Sequence, residues 1–261
     1  MKLFDANSSF GLDMVNHECV NHENFIILEK VEIARTAKDL IEEMDRVGIE
    51  KASVWHRSQY EQDATVGNKK LIDGIKGYED RLVPSWTILP DITDDQYAPD
   101  ILFEEMRKNG VKTLRAFPEQ DRYFLCKVTM GEQLQWIQDM KIPLYLSPMF
   151  GFEPIYKVME EFPDLTVIMA NIGWWPSARL VYPLLNRYKN FYFETGDFSM
   201  LHGIEQVCAK FGSERLLYGS NFPTNAMAGS IYTLMKAGIS EEARENIAFR
   251  NMERLLSEVK L

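Results

Sequence analysis

The sequence predicts an α/β protein, a TIM-like (β/α)8 barrel folded as a single domain over residues 1–261. Two observations carry the prediction. Short β-rich apolar runs alternate with longer helical patterns from one end of the chain to the other. Eight such runs can be placed, each followed by a helix, which closes a barrel. An open doubly wound sheet is the structural alternative, but no glycine-rich dinucleotide fingerprint favours it. The length suits one large barrel domain or two small ones.

Lys2–Asn7 reads as the first strand. A segment of about 12–32 then breaks the rhythm with Asn and His residues and reads as a loop insertion, with room for a hairpin around Phe25–Leu28. Thr36 is the expected helix N-cap, Leu40, Ile41, Met44 and Val47 follow at helical spacing, and Gly48 stops the helix. Lys51–His56 is the second strand, and a helix over Asp63–Lys76 leads to the third, Leu82–Leu89. Helix Tyr97–Lys108 precedes strand four, Val111–Arg115, and helix Gly131–Met140 precedes strand five, Ile142–Ser147. Pro154–Phe162 leads to strand six, Leu165–Asn171. Pro176–Tyr188 has proline where a first helical turn accepts it, and strand seven is Phe191–Thr195. Met200–Phe211 leads to strand eight, Leu216–Ser220, and helices Gly229–Lys236 and Glu241–Leu256 finish the chain.

Composition excludes several classes. The chain is 46% hydrophobic and 26% charged, ordinary for a globular protein, and has no apolar run long enough to cross a bilayer. An acid in the first apolar run, Asp5, argues against a signal peptide. With a formal charge of −10 and no basic patch, nucleic acid is not an expected partner. Cys19, Cys126 and Cys208 are far apart and odd in number, so a reducing, cytoplasmic setting is expected.

The stretch Leu216-Leu217-Tyr218-Gly219-Ser220-Asn221-Phe222-Pro223 is an apolar run that ends in a sharp turn facing a cavity. It resembles the last barrel strand of the amidohydrolase superfamily, where Gly-Ser-Asp-Phe-Pro is usual and the aspartate binds the catalytic metal. Met44–Ala52 and Glu245–Leu256 resemble the family's approach to strand two and its closing helix. Within the superfamily the chain is most similar to the branch of decarboxylases and pyrone-dicarboxylate lactonases. The resemblance implies a site at the C-terminal strand ends, and a homodimer. It also implies which positions would hold the metal, and at each of them this chain departs from the pattern. The first-strand histidines become Asn7 and Ser9, the fifth-strand histidine Ser147, the sixth-strand histidine Asn171, and the aspartate Asn221. Amides and hydroxyls are poor donors for a transition metal, so no metal and no cofactor is expected. None of the replacements is apolar. Either they bond one another in a static network, or they surround water and a polar ligand.

The remaining candidates are few. His56 ends strand two and suits general acid–base work, or is a hydrogen-bonded core histidine. Arg115 ends strand four and suits a carboxylate, or pairs with Glu119 or Asp121. Glu194 and Asp197 flank the end of strand seven as bases or helix caps. Asp5 shares the parity of Asn7 and is expected to face the barrel as a structural partner. Trp174, with Trp175 and the nearby Phe150, Phe152 and Phe222, offers an aromatic wall or ordinary loop packing. His17, Cys19 and His22 lack a fourth ligand and read as a solvated loop, and Gly219-Ser220-Asn221 is no nucleophile elbow.

The leading expectation is a metal-independent hydrolase acting on a small, polar, anionic ester or lactone. Its catalytic candidates are His56, Glu194 and Asp197, and its binding candidates Asn7, Ser9, Arg115, Ser147, Asn171, Trp174 and Asn221. The rival is a barrel that binds a small molecule and has lost its chemistry. A third reading keeps a metal on His56, Glu194 and Asp197.

Overall fold

The computed structural model describes residues 1–11, 34–93, 98–149, 151–173, 178–198 and 200–261. The expected insertion and its hairpin, with His17, Cys19 and His22, lie outside the described residues, as do Phe150, Trp174 and Trp175.

Eight parallel strands run in sequence order around a nearly closed barrel. They are β1 (Phe4–Phe10), β2 (Lys51–His56), β3 (Leu82–Thr87), β4 (Thr113–Arg115), β5 (Leu144–Leu146), β6 (Val167–Met169), β7 (Phe191–Glu194) and β8 (Leu216–Leu217). The last strand meets the first through a bridge between Ser8 and Phe222 and through Ala6 N donating to Tyr218 O at 2.8 Å. Helices α1 (Ala37–Val47), α2 (Ser58–Glu61), α3 (Ala64–Gly74), α4 (Pro99–Lys108), α5 (Lys127–Asp139), α6 (Glu153–Glu161), α7 (Ala178–Arg187), α8 (Gly203–Phe211) and α9 (Met227–Lys236) surround it. The chain ends in α10 (Glu241–Glu245), a π turn over Asn246–Arg250, and α11 (Asn251–Glu258).

The first helix shows why local sequence was enough here. Thr36 accepts from Asp39 N at 3.3 Å while the Asp39 carboxylate accepts from Thr36 N at 2.9 Å, and Gly48 closes the helix at φ 80°. Leu40, Ile41 and Met44 then face the core. The expected single terminal helix differs from what is found. Tyr218 N takes the carbonyl of Ile247, and Asn251 Nδ2 donates to Ser213 O and Leu216 O, both at 2.8 Å. Docking onto β8 thus recruits backbone and side-chain groups at the π turn.

Two clusters organise the packing. One fills the space between the strands and the surrounding helices. The other lies inside the barrel, where Phe4, Ala6, Tyr145, Ile168, Tyr192 and Leu217 meet Met252, Leu255 and Leu256 of α11, which plugs the lower end. Ala6 therefore points inward, and Asp5 belongs to the opposite parity. The expectation that Asp5 faces the barrel fails because the β1–β2 register slips between Asp5 and Ser8. The Asp5 carboxylate is wholly buried and accepts from Ser8 Oγ, Asn7 N, Ser220 N and Ser220 Oγ, which straps β1 to the end of β8.

A second strap was not expected. Ladder pairing of β2 with β3 runs only from Ala52 to Val54. Beyond it, Gln59 Nε2 donates to Ser85 O at 2.9 Å, and Asn68 Nδ2 donates to Thr87 O at 2.8 Å. Two buried amides from α2 and α3 thus take over where the ladder stops. Gly67 is needed beside them, since a Cβ there would collide with the Gln59 backbone.

Candidate functional site at the barrel mouth

Arg115, at the end of β4, is only 3% exposed. Its guanidinium carbon lies 4.2 Å from the centroid of the Tyr145 ring and 5.2 Å from that of Trp55. The Tyr145 contact follows from register, because Arg115 and Tyr145 are partners on adjacent strands. Aromatic contact favours the cation. Burial nevertheless lowers its pKa from the usual guanidinium range to about 10, so it stays charged at neutral pH.

Asn7 joins this cation to a buried acid. Arg115 Nη2 donates to Asn7 Oδ1 at 3.1 Å, and Asn7 Nδ2 donates to Glu194 Oε1 at 3.1 Å and to Asn171 Oδ1 at 2.7 Å. Glu194, inward on β7, also accepts from Asn171 N at 2.9 Å and Gly196 N at 2.5 Å. Gly219 leaves the space this carboxylate occupies, since a Cβ there would collide with it. Burial pushes Glu194 up to about 7, partly offset by these donors.

Above this layer lies a cavity of about 80 Å³, with Trp55, Arg115, Tyr145, Ser147 and Asn171 among its walls and Arg57, Tyr60 and Glu119 towards its rim. At roughly 10–15 Å³ per water-sized group it holds several such groups. Ser147 is half-buried in its wall, and its Oγ accepts from Met149 N at 3.2 Å.

The structure therefore brings Asn7, Arg115, Asn171 and Glu194 into one connected set, with Ser147 beside it. The other candidates have different surroundings. Ser9 donates its hydroxyl to Phe222 O at 3.2 Å, in the closure of β1 on the chain beyond β8. Asn221 Nδ2 donates to Asp197 at 2.9 Å, and Asn225 Nδ2 donates to the same carboxylate at 2.5 Å. His56 follows inward-facing Trp55 and so takes the opposite parity. Its Nδ1 accepts from Ser58 N at 3.1 Å, its ring meets Phe10 edge-on at 5.1 Å, and Gly11 leaves room for the ring. Trp174 lies outside the described residues. The alternative ion pair for Arg115 is absent among the described residues, where the guanidinium bonds Asn7 rather than Glu119 or Asp121.

Backbone conformation explains part of the residue choice. Asn171 and Asn221 have φ of 55° and 54°, a left-handed region where asparagine is tolerated better than other non-glycine residues.

These donors do not fit a divalent transition metal. The Asn7 carbonyl oxygen already faces a guanidinium, the Asn171 amide oxygen accepts from Asn7, and a metal bound there would sit beside a fixed positive charge. Among the described residues no group of three or more His, Cys, Asp or Glu is placed to hold a metal ion.

Sequence reasoning missed Trp55 and Tyr145, the walls of the cation. A signal existed: each sits two residues along the same strand face from a small hydroxyl residue, Ser53 and Ser147 respectively.

Comparison with known proteins follows this geometry. A family model described as Amidohydrolase matches residues 34–257. The chain is similar in structure to an uncharacterised TIM-barrel protein from Bordetella bronchiseptica, with a TM-score of 0.74, 18% identity, and 100% of each chain covered. It is also similar to 2,6-dihydroxybenzoate decarboxylase from Rhizobium, with a TM-score of 0.71, 14% identity, and 98% of this chain and 99% of that one covered. A third likeness is to 5-carboxyvanillate decarboxylase from Novosphingobium aromaticivorans, described with manganese and a substituted nitrobenzoic acid. There the TM-score is 0.69 and the identity 14%, with 98% of this chain and 96% of that one covered. At such identities these likenesses concern the fold. No curated protein matches the chain in sequence.

Proposed function

We propose, from the premise that the chain belongs to the Amidohydrolase family, that its barrel mouth binds a small planar anion and hydrolyses a reactive ester or lactone of that class without a metal. One observation carries the reading: a buried guanidinium, covered by Trp55 and Tyr145, forms part of the cavity wall. With its faces against rings, Arg115 can present N–H groups edge-on, which suits a carboxylate and the negative charge that develops on an acyl oxygen. Asn7 and Asn171 hold that edge in place.

Glu194 is the acid–base candidate, because a pKa pushed up to about 7 lets it hold or release a proton near neutrality. Through Asn7 it also positions Arg115. His56 and Asp197 remain candidates of the same proposal with weaker support, since neither is among the residues that line the cavity. An unactivated amide is a poorer target than an ester or lactone without a Lewis acid.

A second reading is a binding protein without turnover. It is favoured by the bonding of Glu194, whose oxygens accept from Asn7, Asn171 and Gly196 in a static arrangement. Turnover of a panel of lactones and carboxylate esters, with and without chelator, beside calorimetric binding of small carboxylates, tests both. Hydrolysis that survives chelator is expected. Binding without turnover selects the second reading. One equivalent of zinc that survives dialysis, and whose removal abolishes activity, overturns both.

A further inference from the structure

The inward positions of β3 and β4 carry small hydroxyls. Val83 packs against the interior cluster, which places Ser85 on the inward face, while Trp86 and Leu114 pack outward. Thr113 is the register partner of Ser85, and Arg115 follows two residues later on the same face. Ser85 and Thr113 are both wholly buried. Among the described residues neither hydroxyl finds a partner, and neither does the buried Nε of Arg115. Ser53 stands inward on neighbouring β2. Its Oγ comes near enough to the Tyr145 phenol to bear on it electrostatically, but it too lacks a well-formed hydrogen bond.

Isolated buried polar groups are exceptional, and several sharing one face of adjacent strands point to a common occupant. Its chemistry is constrained. It must accept from a guanidinium N–H, which rules out a metal cation. It must also exchange hydrogen bonds with hydroxyls that both donate and accept. Water satisfies both requirements, and a polar buried site with two to four partners is where proteins keep it.

We propose that a buried water cluster sits on the barrel axis between β3 and β4, bonded to Ser85 Oγ, Thr113 Oγ1 and Arg115 Nε, and holds the guanidinium from below. The cluster does not depend on the hydrolase reading, since it would serve a binder equally.

Substitution gives a test by sign. If the hydroxyls were bare, Thr113→Val would remove an unpaired polar group at nearly constant volume and raise stability. If they hold water, the same change strips a hydrogen bond from an internal solvent molecule. A fall of about five- to tenfold in the folding equilibrium constant is then expected for Thr113→Val and for Ser85→Ala, with the double variant losing less than their sum because the water is shared. Oxygen-17 relaxation dispersion should show fewer long-lived waters in the double variant than in the wild type. Stabilisation by Thr113→Val overturns the proposal. Should a variant fail to fold, crystals of the wild type decide: solvent density within hydrogen-bond reach of both hydroxyls is expected, and its absence, or an anomalous bromide peak there after halide exchange, overturns the water assignment.

Discussion

On one side of the barrel interior, Phe4, Ile168, Tyr192 and Leu217 pack against α11 and leave little that needs a partner. On the other, Ser53, Ser85, Thr113 and Arg115 present polar atoms that find no partner among the described residues. Both halves are equally buried. The apolar half behaves as core, where close packing converts burial into stability. The polar half forgoes that gain and supports a cation at the cavity wall. Burial alone therefore does not identify a site; unpaired polarity within burial does.

The largest expected effect lies in the apolar half. Ile168→Ala removes a wholly buried side chain and should cost about 2–5 kcal/mol in denaturant unfolding, with carboxylate affinity unchanged. A loss of affinity as large as the loss of stability would break the division between core and site.

Next comes the acid that bridges the halves. Burial raises Glu194 from an ordinary 4.5 to about 7, so the folded chain binds this proton more tightly than the unfolded one. Its contribution is fully present below pH 4.5 and is lost as pH rises through about 7. A fall of about 3 kcal/mol across that window is expected from this group, and Glu194→Gln should flatten it. An unchanged slope in Glu194→Gln would place the titration elsewhere.

Arg115→Lys keeps the charge but loses the planar fork and its contact with the rings. It should weaken small-carboxylate binding about tenfold in calorimetry. Unchanged affinity in Arg115→Ala would end the anion role.

The smallest effect is in the turn beyond β8. Asn221→Ala places alanine at φ 54° and should cost about 1 kcal/mol, while Asn221→Gly should recover part of it. If both variants were equally destabilised, the bond to Asp197 rather than the backbone would be the cause.

Much of the fold was legible. Thr36, Asp63 and Gly48 mark helix ends in the sequence and serve as caps in the structure. The second strand was placed at Lys51–His56, as found. Strand eight was read to Ser220 but pairs only over Leu216–Leu217, because the chain beyond it turns towards β1. The membership of Asn7, Arg115, Asn171 and Glu194 in one set was only partly legible. Each was named singly, and nothing local showed that Asn7 would bridge the cation and the acid. The strap formed by Gln59 and Asn68 left no sequence signal, since a polar residue on a short helix ordinarily faces water.

The sequence by itself determined the count and order of the eight strands and most of the helices between them, because caps, turns and apolar periodicity are local properties. Tertiary structure decided which side of each strand faces the axis. Alternation gives a strand two faces without saying which is inward, and in a parallel barrel both are buried, so hydrophobicity does not separate them. Trp55 faces the cavity wall and His56 the opposite way for that reason. The links from Asn7 to Arg115 and to Glu194 span 108 and 187 residues, distances that only barrel closure and the slip in β1 bring within hydrogen-bond reach.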